Sequence, residues 1–175
     1  MSPNTLDELL DHLPALRKLR SLNADWLRIL LDRPARHCTW CGQRVGKYRS
    51  TWCSDACVEA FRARCCKVTQ ARLVSDRDHG ICQECGRDTL AAERDAEQAV
   101  RDALAARRLS PYSAEGREIR HAIVSQFGYA RSRWREVDHI IPVVESGGLC
   151  GIDNLRLICG ACHLAATSRL AGRRR

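Results

Sequence analysis

The chain has 175 residues, 45% of them hydrophobic and only two of them Phe, which suits one domain, or one with a small satellite, around a modest core. No stretch is apolar for long enough to cross a membrane, and the polar, acidic start MSPNTLDELL does not fit an export signal, so a cytoplasmic, membrane-free protein is expected. The net charge of +8, with 26 of 29 basic residues being Arg, suits a polyanionic partner, although a GC-rich genome would also favour Arg and Ala.

Residues 1 to about 34 read as helical. Thr5 and Glu8 make a capping box, and Leu6, Leu9, Leu10 and Leu13 fall on one face. Pro14 opens a second predicted helix, with Leu16, Leu19 and Leu22 and then Trp26, Ile29 and Leu30 at helical spacing. Such a pair serves either as a docking or dimerising element towards a second copy or a protein partner, or as an arm that touches DNA through Arg17, Lys18, Arg20 and Arg28.

The eleven Cys come mostly in close pairs, which favours zinc-binding thiols over a disulfide framework. Cys38-x2-Cys41 and Cys53-x3-Cys57 supply four thiols for a tetrahedral zinc site, and Gly42 lets the first knuckle turn. The run Tyr48 to Ser54 is predicted as a strand entering the second knuckle, and Asp55 to about Val74 as a helix. Cys82-x2-Cys85 follows within HGICQECG. Its complement is Cys159-x2-Cys162, closing a second zinc site; the alternative, Cys65 with Cys66, is disfavoured because adjacent Cys fit a tetrahedron poorly. Cys65, Cys66 and Cys150 are left as ordinary thiols, and His12, His37, His79 and His121 as ordinary polar residues.

Between the pairs, Thr89 to Leu109 reads as a charged, Ala-rich helix with Ala91, Ala92, Ala96, Val100 and Leu104 on its apolar side. Ser113 to Phe127 reads as a second helix ending at Gly128. Arg131, Arg133 and Arg135 lead into the next strand, where they would share one face as a DNA-contacting row. Val137 to Ile141 reads as a strand stopped by Pro142, Gly147-Gly148 as a turn, Leu155 to Ile158 as the returning strand, and about Ala161 to Leu170 as a helix with His163 in its first turn.

The last stretch, VDHIIPVVESGGLCGIDNLRLICGACH, carries Asp138-His139, then Asn154 fifteen residues after that His, then His163 nine further on. This pattern resembles the HNH nucleases, which fold as a β-hairpin and helix around one catalytic metal. The order of the Cys38–Cys57 finger, the His79–Gly86 knuckle and the Trp134–His163 block is similar to HNH modules attached to zinc-finger annealing helicases. The likeness covers roughly residues 38 to 171 and leaves 1 to 36 outside. No Walker-A phosphate loop is present, so no helicase motor is carried over.

The resemblance implies an α+β fold: a treble-clef, ββα-metal core with two structural zinc sites, a helical insertion at about 89–128, and N-terminal helices. The expected blocks are 1–36 (N-terminal helices), 37–75 (four-Cys finger plus helix) and 76–175 (nuclease). By the same resemblance His139 is the general base. Asp138 and His163 are ligands of a catalytic Mg²⁺ or Mn²⁺, and Asn154 ties the loop back to hold His139. Two structural Zn²⁺ brace the frame. Neighbouring side chains of a strand face opposite ways, so Asp138 and His139 can share a site only where the strand ends or bends. The implied activity is hydrolysis of DNA phosphodiester bonds. The alternatives are a non-enzymatic zinc-structured nucleic-acid-binding module and a nuclease subunit that works only with a partner.

Overall fold

Helices α1 (Leu6–His12), α2 (Ala24–Leu30), α3 (Asp55–Cys65), α4 (Lys67–Arg77), α5 (Thr89–Ala106), α6 (Ala114–Gln126) and α7 (Gly160–Gly172) dominate the regular structure of this computed structural model. Strands β1 (Arg135–His139) and β2 (Leu155–Cys159) form the one two-stranded hairpin among the described residues, which are 3–127 and 134–173. No described helix is long and apolar enough to cross a membrane. The fold divides into two compact units that are discontinuous in sequence. One gathers Met1–Val74 with His139–Arg156, the other Ser75–Asp138 with Leu157–Arg175.

In the first unit α1 begins as its sequence requires. The Thr5 side chain accepts the Glu8 N–H, while the Glu8 carboxylate accepts from Asn4, one residue before the expected position of a reciprocal box. Leu6, Leu9 and Leu10 are buried and Leu13 is exposed. The single helix predicted from Pro14 onward is instead a 3-10 turn, Pro14–Lys18, followed by α2, which is capped afresh by the Asn23 side chain on the Trp26 N–H. The new start changes the buried face. Leu27 and Leu31 go inside, whereas Trp26 and Ile29 are 57% and 66% exposed. Leu6, Leu9, Leu10, Leu27 and Leu31 pack with Phe61 and Cys65 of α3 and with Leu149 from the loop before β2. Burying each Leu there contributes roughly 1.5–3 kcal/mol.

Two further expectations for this unit change. Tyr48 to Ser54 is irregular, not a strand; its backbone meets the first knuckle at the Thr51 carbonyl, which accepts the Thr39 N–H, and at the Cys53 N–H, which faces the Cys38 sulfur. The helix expected from Asp55 to Val74 breaks at Cys66, which adopts an extended conformation and separates α3 from α4. The buried Gln70 amide donates to the Arg64 carbonyl freed by that break, so the interruption leaves no orphaned acceptor at that position.

In the second unit α5 and α6 form an antiparallel-type helical pair joined by a short link. Asp88 caps α5 by accepting the Leu90 and Ala91 N–H groups, and Ser113 caps α6 by accepting from Gly116. The helix predicted to reach Leu109 ends at Ala106, because Arg108 turns left-handed (φ +53°). Ala96, Val100 and Leu104 are the buried stripe of α5; Ala96 packs with Trp134, Val124 and Phe127. The Glu97 carboxylate takes two hydrogen bonds from Arg120 across the pair. A separate small core joins Cys82, Ile158, Cys159 and Cys162.

Candidate metal centres and catalytic loop

The first thiol cluster, Cys38, Cys41, Cys53 and Cys57, is built by a tight knuckle and a helix start. The Cys38 N–H donates to the Gln43 carbonyl (2.7 Å), the Gly42 N–H returns to the Cys38 carbonyl (2.9 Å), and Gly42 sits at φ +75°, a conformation glycine adopts without strain. Cys57 lies in the first turn of α3, where its N–H donates to the capping Ser54 hydroxyl. The four Sγ atoms lie within 4.8 Å of one another, with Cys41–Cys53 at 3.4 Å and Cys53–Cys57 at 3.5 Å. A zinc tetrahedron with Zn–S bonds of about 2.3 Å has S···S edges of about 3.8 Å, so the set fits zinc. All eleven Cys are free thiols. Burial opposes ionisation of Cys38, but N–H groups from Cys41, Cys53 and Trp40 outweigh it and bring the thiol down to about 7. Burial pushes its neighbour Cys41 up to about 12.

The second cluster, Cys82, Cys85, Cys159 and Cys162, lies wholly within the second unit and repeats the knuckle. The Cys82 N–H donates to the Arg87 carbonyl, the Gly86 N–H to the Cys82 carbonyl, and Gly86 sits at φ +72°. Its sulfurs also lie within 4.8 Å of one another, Cys85–Cys159 at 3.8 Å. The pairing expected between residues 82/85 and 159/162 is therefore formed, and Cys65 and Cys66 take no part in it. Cys82 is again brought to about 7, burial being outweighed by N–H groups from Cys159, Cys85 and Glu84, and burial raises Cys162. The Cys159 N–H points at the Cys82 sulfur (3.2 Å).

What holds β2 against this knuckle is not apparent from local sequence. Leu157 is gripped on both backbone groups: its carbonyl accepts the Gln83 N–H, and its N–H donates to Oδ2 of Asp78, both at 2.8 Å. The nearly buried Asp78 carboxylate also takes two hydrogen bonds from Arg77, which hold its carboxyl below the usual range against the opposing effect of burial. The available signal was the Asp-His-Gly sequence before the knuckle, where His79 (φ +52°) and Gly80 (φ +74°) are both left-handed.

The candidate catalytic residues fall as follows. Asp138 and His163 belong to the second unit, Asp138 on β1 and His163 on the first turn of α7 beside Cys162. His139 and Asn154 belong to the first unit, and β1 ends at His139. Asn154 fastens the loop that follows His139. Its carbonyl accepts the Ile140 N–H (2.9 Å) and its Oδ1 the Ile141 N–H (2.8 Å). Its Nδ2 donates to the carbonyls of Ile141 (3.1 Å) and Gly147 (2.9 Å). Gly147 and Gly148 serve close approach and not a left-handed turn. A Cβ on Gly147 would come within 1.8 Å of the Ile141 carbonyl oxygen. Of the expected DNA-contacting row, Arg135 forms an ion pair with Glu93 (2.6 Å), whereas Arg131 and Arg133 lie outside the described residues.

Comparison with known proteins adds three findings. Residues 130–169 match the HNH endonuclease family. The chain is 32% identical over 137 residues to the mouse DNA annealing helicase and endonuclease ZRANB3, and 31% identical over 137 residues to its human counterpart. Each alignment covers 75% of this chain but only 12% of the relative. No solved structure matches.

Proposed function

We propose, for a chain that belongs through residues 130–169 to the HNH endonuclease family, that it is a nuclease unit hydrolysing DNA phosphodiester bonds. The observation that carries this reading is the combination of that family match with the fourfold fastening of the loop after His139 by Asn154. A binding module needs phosphate contacts but has no use for a loop fastened directly after a histidine at the end of a strand.

In this reading a neutral His139 imidazole takes the proton from the attacking water. Asn154 holds the backbone on the C-terminal side of His139 and so fixes where its Cα sits. Asp138 and His163 would offer a carboxylate oxygen, the donor that suits Mg²⁺ or Mn²⁺, and an imidazole nitrogen, with no thiolate. Such an ion, when bound, supplies positive charge to the scissile phosphate and the leaving 3′ oxygen. The two thiol clusters have no open position in this scheme and act as structural zinc sites, the second fixing the helix start that carries His163. Arg131, Arg133 and Arg135 remain proposed phosphate contacts; Arg135 would exchange Glu93 for phosphate on binding.

Product ends test the chemistry. Nicked plasmid made by the zinc-loaded chain with added Mg²⁺ should carry 5′-phosphate and 3′-hydroxyl termini and be resealed by DNA ligase. Termini with 3′-phosphate would reject water attack with a 3′-oxygen leaving group.

A further inference from the structure

We propose that the N-terminal segment, residues 3–31, is a built-in brace for the loop that joins His139 to Asn154, with Asp7, Arg64 and the main-chain carbonyls of Arg17 and Leu19 as its positioning groups. The proposal rests on the nuclease reading only for its catalytic consequence. The brace itself stands on contacts within the first unit, and residues 1–36 lie outside the block that resembles HNH modules.

Three contacts converge on two residues of the loop. The Gly148 N–H donates to the Arg17 carbonyl (2.6 Å), and the Leu149 N–H donates to the Leu19 carbonyl (3.0 Å). The Leu149 carbonyl accepts from Nε of Arg64 (3.2 Å), whose remaining guanidinium face grips the Asp7 carboxylate at 2.7 and 3.4 Å. Gly148 is required for this approach. A Cβ there would lie 2.1 Å from the Leu19 carbonyl oxygen and 2.4 Å from that of Arg17.

Leu149 shows that the contacts do mechanical work on the loop. It is a branched residue at φ +47°, a region that disfavours such side chains, yet its side chain is 1% exposed and sits in the core made by α1, α2 and α3. A strained backbone of this kind persists only where its surroundings over-determine it. Here the N–H, the carbonyl and the side chain of Leu149 are each held, two of the three by the N-terminal segment itself. Asn154 holds the start of the same loop at Ile141 and also Gly147, the residue before Gly148. The loop is thus held at two neighbouring places by different partners, and the segment before residue 32 supplies one of the two anchors.

The test uses the full chain with Arg64→Gln, Gly148→Ala, Asp7→Asn and Asp7→Glu. Amide hydrogen exchange is read across residues 140–151, together with nicking rates. Arg64→Gln and Gly148→Ala should speed exchange at Gly148 and Leu149 by about tenfold or more while α5 and α6 keep wild-type rates. The same variants should lower kcat by about tenfold or more with KM for DNA unchanged, as expected of lost positioning. Asp7→Asn, at a largely solvent-exposed side chain, should show a smaller change in the same direction, so a readout survives if the other two variants do not fold; Asp7→Glu should restore wild-type behaviour. Unchanged exchange at Gly148 and Leu149 in Arg64→Gln overturns the brace. Faster exchange with unaltered kcat overturns its catalytic consequence. A wild-type chain that cuts no DNA overturns the nuclease reading alone, and exchange then decides the brace.

Discussion

Asn154 illustrates how one side chain can set the geometry of a loop. Its amide uses both faces, accepting from Ile141 and donating to Ile141 and Gly147. An aspartate would keep the acceptor and lose both donations; an alanine would lose all three. Each hydrogen bond contributes about 0.5–1.5 kcal/mol. Asn154→Ala should therefore loosen residues 140–147 and lower the nicking rate by about 10²-fold, the scale on which misplaced catalytic groups cost rate. Zinc content, measured by metal analysis of the purified chain, should stay at the wild-type value. Zinc loss in step with activity would mean that Asn154 supports the fold at large and not the loop.

At the scale of elements, β2 and α7 are set by the knuckle that precedes α5. Asp78 joins Arg77 to the Leu157 N–H, and Leu157 lies two residues before Cys159 of the second thiol cluster. Asp78→Ala leaves that buried N–H unpaired at a cost of about 1–3 kcal/mol. Transfer of zinc to a chelator should accelerate from the second cluster and remain unchanged at the first; equal acceleration at both would contradict this assignment. The α5–α6 pair is expected to respond to acid. The Arg120 guanidinium holds the Glu97 carboxyl below the ordinary glutamate range, more strongly than burial raises it. A depressed carboxyl contributes stability that is present above its unfolded pKa and is lost as pH falls through its folded one. Thermal unfolding should thus show an acid loss that is smaller in Glu97→Gln, and an identical pH profile for the two chains would rule the pair out as its source.

Across the whole molecule, the sequence disclosed most where chemistry fixes spacing. Both four-thiol clusters, the hairpin, the α5–α6 insertion and the helix start carrying His163 follow from Cys pairs, caps and apolar periods that are local. What escaped depends on partners distant in the chain. Helical spacing from Pro14 onward could not reveal that Arg17 and Leu19 spend their carbonyls on Gly148 and Leu149. Gly147-Gly148 reads as a flexible turn, whereas the structure uses both for contacts too tight for a Cβ. Asp78 and Arg64 are single charged residues whose roles appear only once residues 149 and 157 are beside them.

In the proposed mechanism His139 acts as a base separate from two structural zinc sites. The most direct measurement is nicking of supercoiled plasmid by the zinc-loaded chain, wild type against His139→Ala, with and without added Mg²⁺ or Mn²⁺, while DNA binding is followed in parallel. Cleavage that requires the added ion and falls by about 10²-fold or more in His139→Ala, with zinc content and DNA binding retained, is the predicted result. Cleavage that survives in His139→Ala, or a wild-type chain that binds DNA and cuts none of it, would contradict it.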